Sequence, residues 1–488
     1  MKRLFFILLL FCCSFLAHAD GWGLEWYGST RMTGSSGQYL PFYARTGEDG
    51  ILPIRSSGLL TAGADVGYRH SNGLFFDAGA NLVGALAMKS PLNTKPVYGV
   101  VDRLYLSGGW KMLHLDVGMK PRERSFSDLS ISGGDILYSR NARNLPGINA
   151  WSDWIYFEKG HWIGIKGHLS HYQFIDNRCV SDAFLHSKAI AVKVALGHKV
   201  DLTAGFDHYA QWGGNSETLG QQLQGFKDYV NVFFGRRGGE DALMTDQMNV
   251  FGNHLGREWG RLDWRASRFT LTFQYDKPFE DNSGMTFKNF PDGVWSLQFA
   301  FRKRYAFVTD VIYEFINTTW QSGSLHDRPA TEEELAKQDP SDPYYGKIVM
   351  GGRDNYFNNS PYNSGWTNYG RVIGLPLLVA YAPGADGKTR GILNNRVRGH
   401  HAGVAGVVAG KVPYKLKLTF TENFGTYGRP LENEPWQLSM ALEAGLDQSL
   451  THLPLHFSVG VYGDVGKLYQ NSVGLMLKMT YADRKYFR

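Results

Sequence analysis

Trp436-Gln-Leu-Ser-Met-Ala-Leu-Glu443 decides the class of fold. Trp436, Leu438, Met440 and Leu442 alternate with Gln437, Ser439, Ala441 and Glu443, a period of two. Successive side chains of an extended chain point to opposite faces, so this is a strand with one apolar and one polar face. The pattern recurs along the chain. Leu455, Phe457, Val459 and Val461 alternate with polar or small residues, as do Phe269, Leu271, Phe273 and Tyr275. Leu297, Phe299 and Phe301 repeat it, as do Ile190, Val192, Val194 and Leu196, and Leu113, Leu115, Val117 and Met119.

A water-soluble β-sandwich shows the same alternation, so the pattern alone leaves two architectures open. Three features favour a barrel. The second face carries small and charged residues throughout, as a wet lumen does. Strands run from about residue 24 to 481 without a break between separate sandwiches. The N-terminus supplies a secretory route. Transmembrane strands need roughly 9–11 residues each, plus connections. At roughly 26 residues per strand and connection, the chain predicts an all-β, single antiparallel transmembrane barrel of about 18 strands.

The N-terminal route is read from Lys2 and Arg3, the apolar run Leu4 to Leu16, and Ala17-His18-Ala19 before Asp20. This is the pattern of a secretory signal peptide over residues 1–19, leaving 20–488 as one barrel domain. A lipoprotein signal is the runner-up, because Cys12 and Cys13 sit in the apolar run. Cleavage leaves Cys179 alone, so no intramolecular disulfide is expected. No later run is long and apolar enough for a membrane helix. The 51 Lys and Arg against 45 Asp and Glu make the chain mildly basic. Without a run of five like charges, nothing calls for nucleic acid. The 58 glycines suit curved strands, and 14% aromatics suit interface girdles.

Breaks in the alternation mark loops, at Gly213 to Gly225, Gly235 to Asn253 and Ser322 to Lys347. In the last of these, Thr331-Glu-Glu-Glu334 predicts a short capped helix ending before Pro340. No G-x-S-x-G, H-E-x-x-H, P-loop or C-x-x-C occurs, so no enzyme, metal or cofactor is expected. His400 and His401 are adjacent on a strand and point to opposite faces, a poor metal pair. Asp310 and Glu314 share a face roughly 13 Å apart, too far for an ordinary glycosidase pair. They are expected to pair with arginines in the lumen.

Arginines carry more signal. Arg140, Arg143, Arg302, Arg304, Arg371, Arg396 and Arg398 lie in or beside strand-like segments. A lipid-facing Arg costs roughly 2–4 kcal/mol at the bilayer midplane, so they should face the lumen or the rims. They either plug the lumen as Arg–carboxylate pairs or offer a basic surface to an acidic polysaccharide, and both can hold together. Asp354 to Arg371 packs Asn, Tyr, Trp and Phe with no period and reads as a loop. Its Tyr356, Phe357, Tyr362, Trp366 and Tyr369 either pack on one another or stack on sugar rings.

Four motifs in order carry a resemblance: Gly133-Gly-Asp-Ile-Leu-Tyr-Ser-Arg-Asn-Ala-Arg143 with Pro146, His208-Tyr-Ala-Gln-Trp-Gly-Gly214, Asp354 to Leu377, and Asn394-Asn-Arg-Val-Arg-Gly-His-His401. With these the chain resembles the Wzi capsule-assembly family of outer-membrane proteins. The resemblance implies a monomeric barrel of about eighteen strands in a Gram-negative outer membrane, with a plugged lumen and helices on the periplasmic side. It implies a lectin that attaches exported capsular polysaccharide to the cell surface, with outer-membrane lipids and the barrel-insertion machinery as its other partners. Barrels of this kind usually end on an aromatic residue; here Phe487 is penultimate and Arg488 last. The residues expected to meet polysaccharide are Arg140, Arg143, Trp212, Tyr356, Phe357, Tyr362, Trp366, Arg371 and Arg396. A saccharide-permeable channel is the alternative.

Overall fold

The computed structural model describes residues 21–157, 160, 162–236, 251–280, 282–321, 323, 331–337, 339–341, 354–446 and 455–487. The expected signal peptide at 1–19, with Cys12 and Cys13, lies outside them, as do most of the insertions after residues 235 and 322 and Arg488.

Among the described residues eighteen antiparallel strands close into one barrel. They are β1 Trp22–Ser35, β2 Ser57–Arg69, β3 Leu74–Ala87, β4 Val97–Trp110, β5 Leu113–Met119 and β6 Gly147–Ser152, which resumes at Ile155–Tyr156. Next come β7 Ile163–Gln173, β8 Phe184–Leu196, β9 Val200–Trp212, β10 Asn253–Arg265, β11 Phe269–Phe279 and β12 Gly293–Phe301. The last six are β13 Asp310–Asn317, β14 Arg396–Val408, β15 Val412–Gly425, β16 Trp436–Leu446, β17 Leu455–Gly466 and β18 Ser472–Phe487. Each strand pairs with its neighbour in sequence. β1 closes on β18 from Trp22↔Phe487 to Ser35↔Gly474, so the Tyr481 to Phe487 segment is part of the closing strand. Closure leaves no unpaired edge, which is what a barrel in hydrocarbon requires.

The faces are inverted relative to a soluble protein. On β18, Leu477 is 61% exposed while Met476 beside it is 3% exposed. On β16, Gln437, Ser439 and Ala441 point inward and are buried, whereas Trp436 and Leu442 are exposed. Exposing a Leu to water forgoes roughly 1.5–3 kcal/mol of burial, so such a wall is stable only against hydrocarbon. Trp110, Trp264, Tyr305, Phe307 and Tyr486 are exposed at one end, as an interface girdle is. No helix among the described residues is long and apolar enough to cross a membrane.

The two ends differ. Both described termini and the short turns 70–73, 111–112, 197–199, 266–268 and 409–411 lie at one end, the turn end. The long connections 36–56, 120–146, 213–252 and 318–395 lie at the other, the loop end. Among the described residues the four α-helices, α1 Phe42–Arg45, α2 Phe226–Phe234, α3 Asn282–Met285 and α4 Glu332–Leu335, are in loop-end connections. With short turns taken as periplasmic, none of the described helices is on the periplasmic side, where the resemblance implied them. These short turns leave too little chain for one, and the longer turn-end connection 302–309 holds no helix either. α4 is the expected capped helix, with the Thr331 N–H donating to Glu334 Oε2 at 3.0 Å.

Two connections fold back into the lumen as a plug. Residues 120–146 and 354–378 run against each other there: Leu375 N–H donates to Ile136 O (3.0 Å) and Ser139 N–H to Ile373 O (2.9 Å). The approach is so close that a Cβ on Gly374 would lie 2.3 Å from Ile136 O, which explains glycine at this position. The barrel wall holds the plug with charge. Arg257 on β10 reaches Asp207 and, at 3.0 Å, Asp276, and donates to Gly134 O at 2.7 Å. Such a buried network rigidifies because one guanidinium joins carboxylates of the wall to the backbone of the plug.

Candidate functional site

All four motifs meet at the boundary of plug and wall. From the first, Ile136 N–H donates to Asp276 Oδ2 (2.8 Å). From the second, Gln211 on β9 donates to Gly365 O (3.3 Å). From the fourth, Asn395 donates to Tyr356 O (2.9 Å), and His401 Nε2–H to Leu129 O (2.7 Å). His401 points inward and is fully buried, while His400 points outward to the Tyr313 hydroxyl at 2.7 Å, so the two do face apart. Glu314 does not pair with an arginine as expected. Its carboxylate accepts from the Ser130, Ser132 and Ser296 hydroxyls and the Ile131 N–H, because the plug brings a serine-rich turn to it.

The expected aromatic residues are core, not surface. Tyr356, Phe357 and Trp366 are fully buried and Tyr362 nearly so. Trp366 Nε1–H donates to Leu137 O at 2.6 Å and its ring meets Tyr209 edge-on at 5.6 Å. The Tyr356 hydroxyl accepts from Asn289 (2.8 Å) and donates to Gln321 O (3.1 Å). Burial pushes that phenol well above its ordinary value. The Tyr362 hydroxyl donates to Gly213 O at 3.2 Å. Trp212 is buried elsewhere, at the head of β9 among Phe184, His171 and Tyr229.

The expected arginines divide. Arg140 grips buried Asp49 through both carboxylate oxygens, tying the 120–146 segment to the 36–56 connection. Arg396 stacks on Tyr427 at 3.7 Å at the loop end of β14. Arg143 lies over Tyr369 at 4.1 Å, with its Nε buried and unpartnered. Among the described residues Arg371 meets no carboxylate: it donates to Arg45 O at 2.8 Å and to Leu52 O. Burial, together with the Arg45 and Arg143 charges, pulls its guanidinium down to about 10, so it remains a cation at neutral pH.

Arg371 opens onto a loop-end cavity of about 500 Å³. Arg45 lines it too, stacked over Tyr469 at 4.5 Å and with its Nε buried and unpartnered. Tyr39 and Tyr381 add rings. Asp464 is the one carboxylate in the lining, and it is committed to the Phe42 N–H (2.9 Å) and the Ser439 hydroxyl (2.6 Å). Two guanidinium groups with spare donors, flanked by phenols, form a site for an anion carrying flat apolar faces. The sequence analysis missed Arg45, Tyr39 and Tyr469. For Tyr39 and Arg45 the available signal was their clustering with Tyr43 in an aperiodic, aromatic stretch after β1; Tyr469, in the turn before β18, carried no such signal.

Below the plug, two further cavities of about 470 and 550 Å³ open in the turn-end half of the lumen, with Arg122 in both linings. Lys193 stands 4.2 Å over the Trp154 ring in the first. Among the described residues no group of three His, Cys, Asp or Glu side chains is placed to hold a metal.

No protein-family model matches the chain, and no curated protein does. Among solved structures the chain is similar to Wzi of Escherichia coli, an outer-membrane protein involved in group 1 capsule assembly and described as a carbohydrate-binding β-barrel. The two share 12% identity over 93% of this chain and 83% of that one, with a TM-score of 0.56. OpdK of Pseudomonas aeruginosa is 8% identical over 96% and 100% of the two chains, with a TM-score of 0.48. OccAB4 of Acinetobacter baumannii is 10% identical over 96% and 99%, with a TM-score of 0.45. The likeness to Wzi concerns the fold: this chain is an outer-membrane-type β-barrel of eighteen antiparallel strands.

Proposed function

We propose that the chain is an integral outer-membrane protein of the Wzi kind that holds an acidic surface polysaccharide, of the capsular class, at its loop-end mouth. The observation that carries this reading is the Arg45–Arg371 cavity, where cations with spare donors adjoin phenol rings and the one carboxylate is already committed. Arg45 and Arg371 bind the acid groups, Tyr39 and Tyr381 cover sugar faces, and Tyr469 holds the Arg45 guanidinium in place. Arg143 adds positive field behind them and Arg396 sits on the rim. Arg140, Trp212, Tyr356, Phe357, Tyr362 and Trp366 act through position, holding the segments that form the mouth. In this reading residues 1–19 export the chain, residues 20–488 insert as a monomer, and the loop end faces outward. No chemical step is required, since attachment needs only binding.

Purified protein is tested against acidic capsular polysaccharide and against the same polymer with its carboxyl groups reduced. The acidic polymer is expected to bind and the reduced one to bind much more weakly. Equal binding of both, or of neither, counts against the reading. The competing reading is a saccharide channel, which the two turn-end cavities favour. It requires a steady conductance in planar bilayers.

A further inference from the structure

We propose that α2 is a membrane-interface helix, seated on the outer wall of the barrel with its free apolar edge in the lipid leaflet at the loop end. The wall beneath it is unusual. Inward residues of β8, β9 and β10 are known from their partners: Ser187 and Tyr209 bind Arg122 of the plug segment, and Arg257 binds Gly134 O. Strand alternation therefore places His186, Lys188, His208 and His254 on the outside, at the height where the apolar band should continue. α2 roofs this polar patch. Tyr229 meets the His186 ring edge-on at 5.4 Å, Lys188 donates to Phe233 O, and Val232 is fully buried against Ala210 and Trp212.

The helix has three faces. Tyr229, Val232 and Phe233 meet the barrel. Lys227, Asp228 and Asn231 form a polar arc. Phe226, Val230 and Phe234, spaced at i, i+4 and i+8, form a stripe between those two faces. Phe226 is 83% and Phe234 62% exposed. Just below, Ile190 and Val192 of β8 are exposed on the same wall, so the stripe continues the lipid-facing surface. Lys227 is exposed on the polar arc, and Arg236 stacks 5.1 Å over the Phe234 ring just past the helix end. Long cationic side chains so placed bury their stems and reach anionic headgroups, the arrangement of an interfacial helix. The occupant this surface fits is therefore an anionic lipid leaflet.

The test uses residues 20–488 with Cys179→Ala, reconstituted in vesicles of phosphatidylcholine and phosphatidylglycerol, with nitroxide labels on single cysteines. Labels replace Phe226, Val230 or Phe234 on the stripe, Asp228 or Asn231 on the polar arc, and Ile190 on the wall. Folding of each variant is checked by heat-modifiability. Stripe labels are expected to collide more with oxygen than with a water-soluble nickel reagent, as the Ile190 label does, and polar-arc labels to show the reverse. Stripe labels as open to nickel as Asp228, beside an immersed Ile190, overturn the inference. A nickel-accessible Ile190 overturns the membrane reading on which it rests. Omitting phosphatidylglycerol should make the stripe labels shallower, and Lys227→Gln with Arg236→Gln should remove that difference; an unchanged depth overturns the anionic-headgroup component.

Discussion

Arg45 and Trp366 show how differently a charged and an aromatic residue serve one mouth. Among the described residues Arg45 has no side-chain hydrogen-bond partner; its guanidinium stacks on Tyr469. Arg45→Ala is therefore expected to leave heat-modifiability unchanged and to weaken binding of acidic polysaccharide roughly tenfold to a hundredfold, the worth of one or two charge-assisted hydrogen bonds. The loss should shrink as salt rises, since screening already removes part of the charge attraction in the parent protein. A titration of affinity against salt for both proteins checks this. Trp366 is fully buried in the plug. Trp366→Ala is expected to lower stability by about 3–5 kcal/mol, the range for emptying a large aromatic site, while the folded fraction binds as before. Denaturant unfolding and affinity measured on the same sample separate the two effects.

Among elements, the loop between β11 and β12 carries a proton-linked anchor. Asp292 accepts from Asn317 Nδ2 (2.7 Å), the Trp320 N–H (3.0 Å) and the Gln321 N–H (2.6 Å), so it fixes the chain as it leaves β13 toward the plug. Burial pushes its carboxyl up to about 7, against the Trp320 and Gln321 N–H bonds that pull the other way. An unfolded Asp titrates near 3.9, so the folded state binds the proton more tightly. Its contribution is thus full below about pH 4 and is lost as pH rises through about 7. Asp292→Asn is expected to flatten that part of the profile, so that the unfolding midpoint of the variant falls less between pH 5 and pH 8 than that of the parent. Parallel slopes would contradict it. The same scale shows what sequence reading can overlook. α2 falls between the two stretches read as Gly-rich insertions and within no expected element, yet Gly225 and a left-handed Gly235 bracket it, and Phe226, Tyr229, Val230, Phe233 and Phe234 follow a helical spacing. Nine residues are a short window in which to see that period against neighbouring strands.

At the scale of the whole molecule, attachment and conduction make opposite demands on the lumen. A barrel whose loop-end half is occupied by 120–146 and 354–378, locked by Arg257 and its aspartates, is expected to show no steady ohmic conductance in planar bilayers. Removing residues 354–378, with a short linker in their place, should open one if the variant still shows heat-modifiability. Deleting the gene is expected to shift acidic polysaccharide from the cell-bound to the medium fraction without lowering the total. An equal fall in both fractions would point to synthesis or export instead.

The sequence by itself determined the strands and the two-faced character of the wall. A period of two is a local property, and residues such as Leu438, Met440 and Leu442 display it whatever they later touch. It also marked 133–143, 208–214, 354–377 and 394–401 as special. It did not tell that these four stretches meet one another. Ile136 and Leu375 are more than two hundred residues apart, and nothing local in either dictates the hydrogen bond between them. The tertiary structure alone decided that the aromatic loop turns inward. In the lumen Tyr356 and Trp366 find acceptors and rings to pack against, whereas outside the same side chains would have faced water. That choice left Arg45 and Arg371, rather than the rings, open at the mouth.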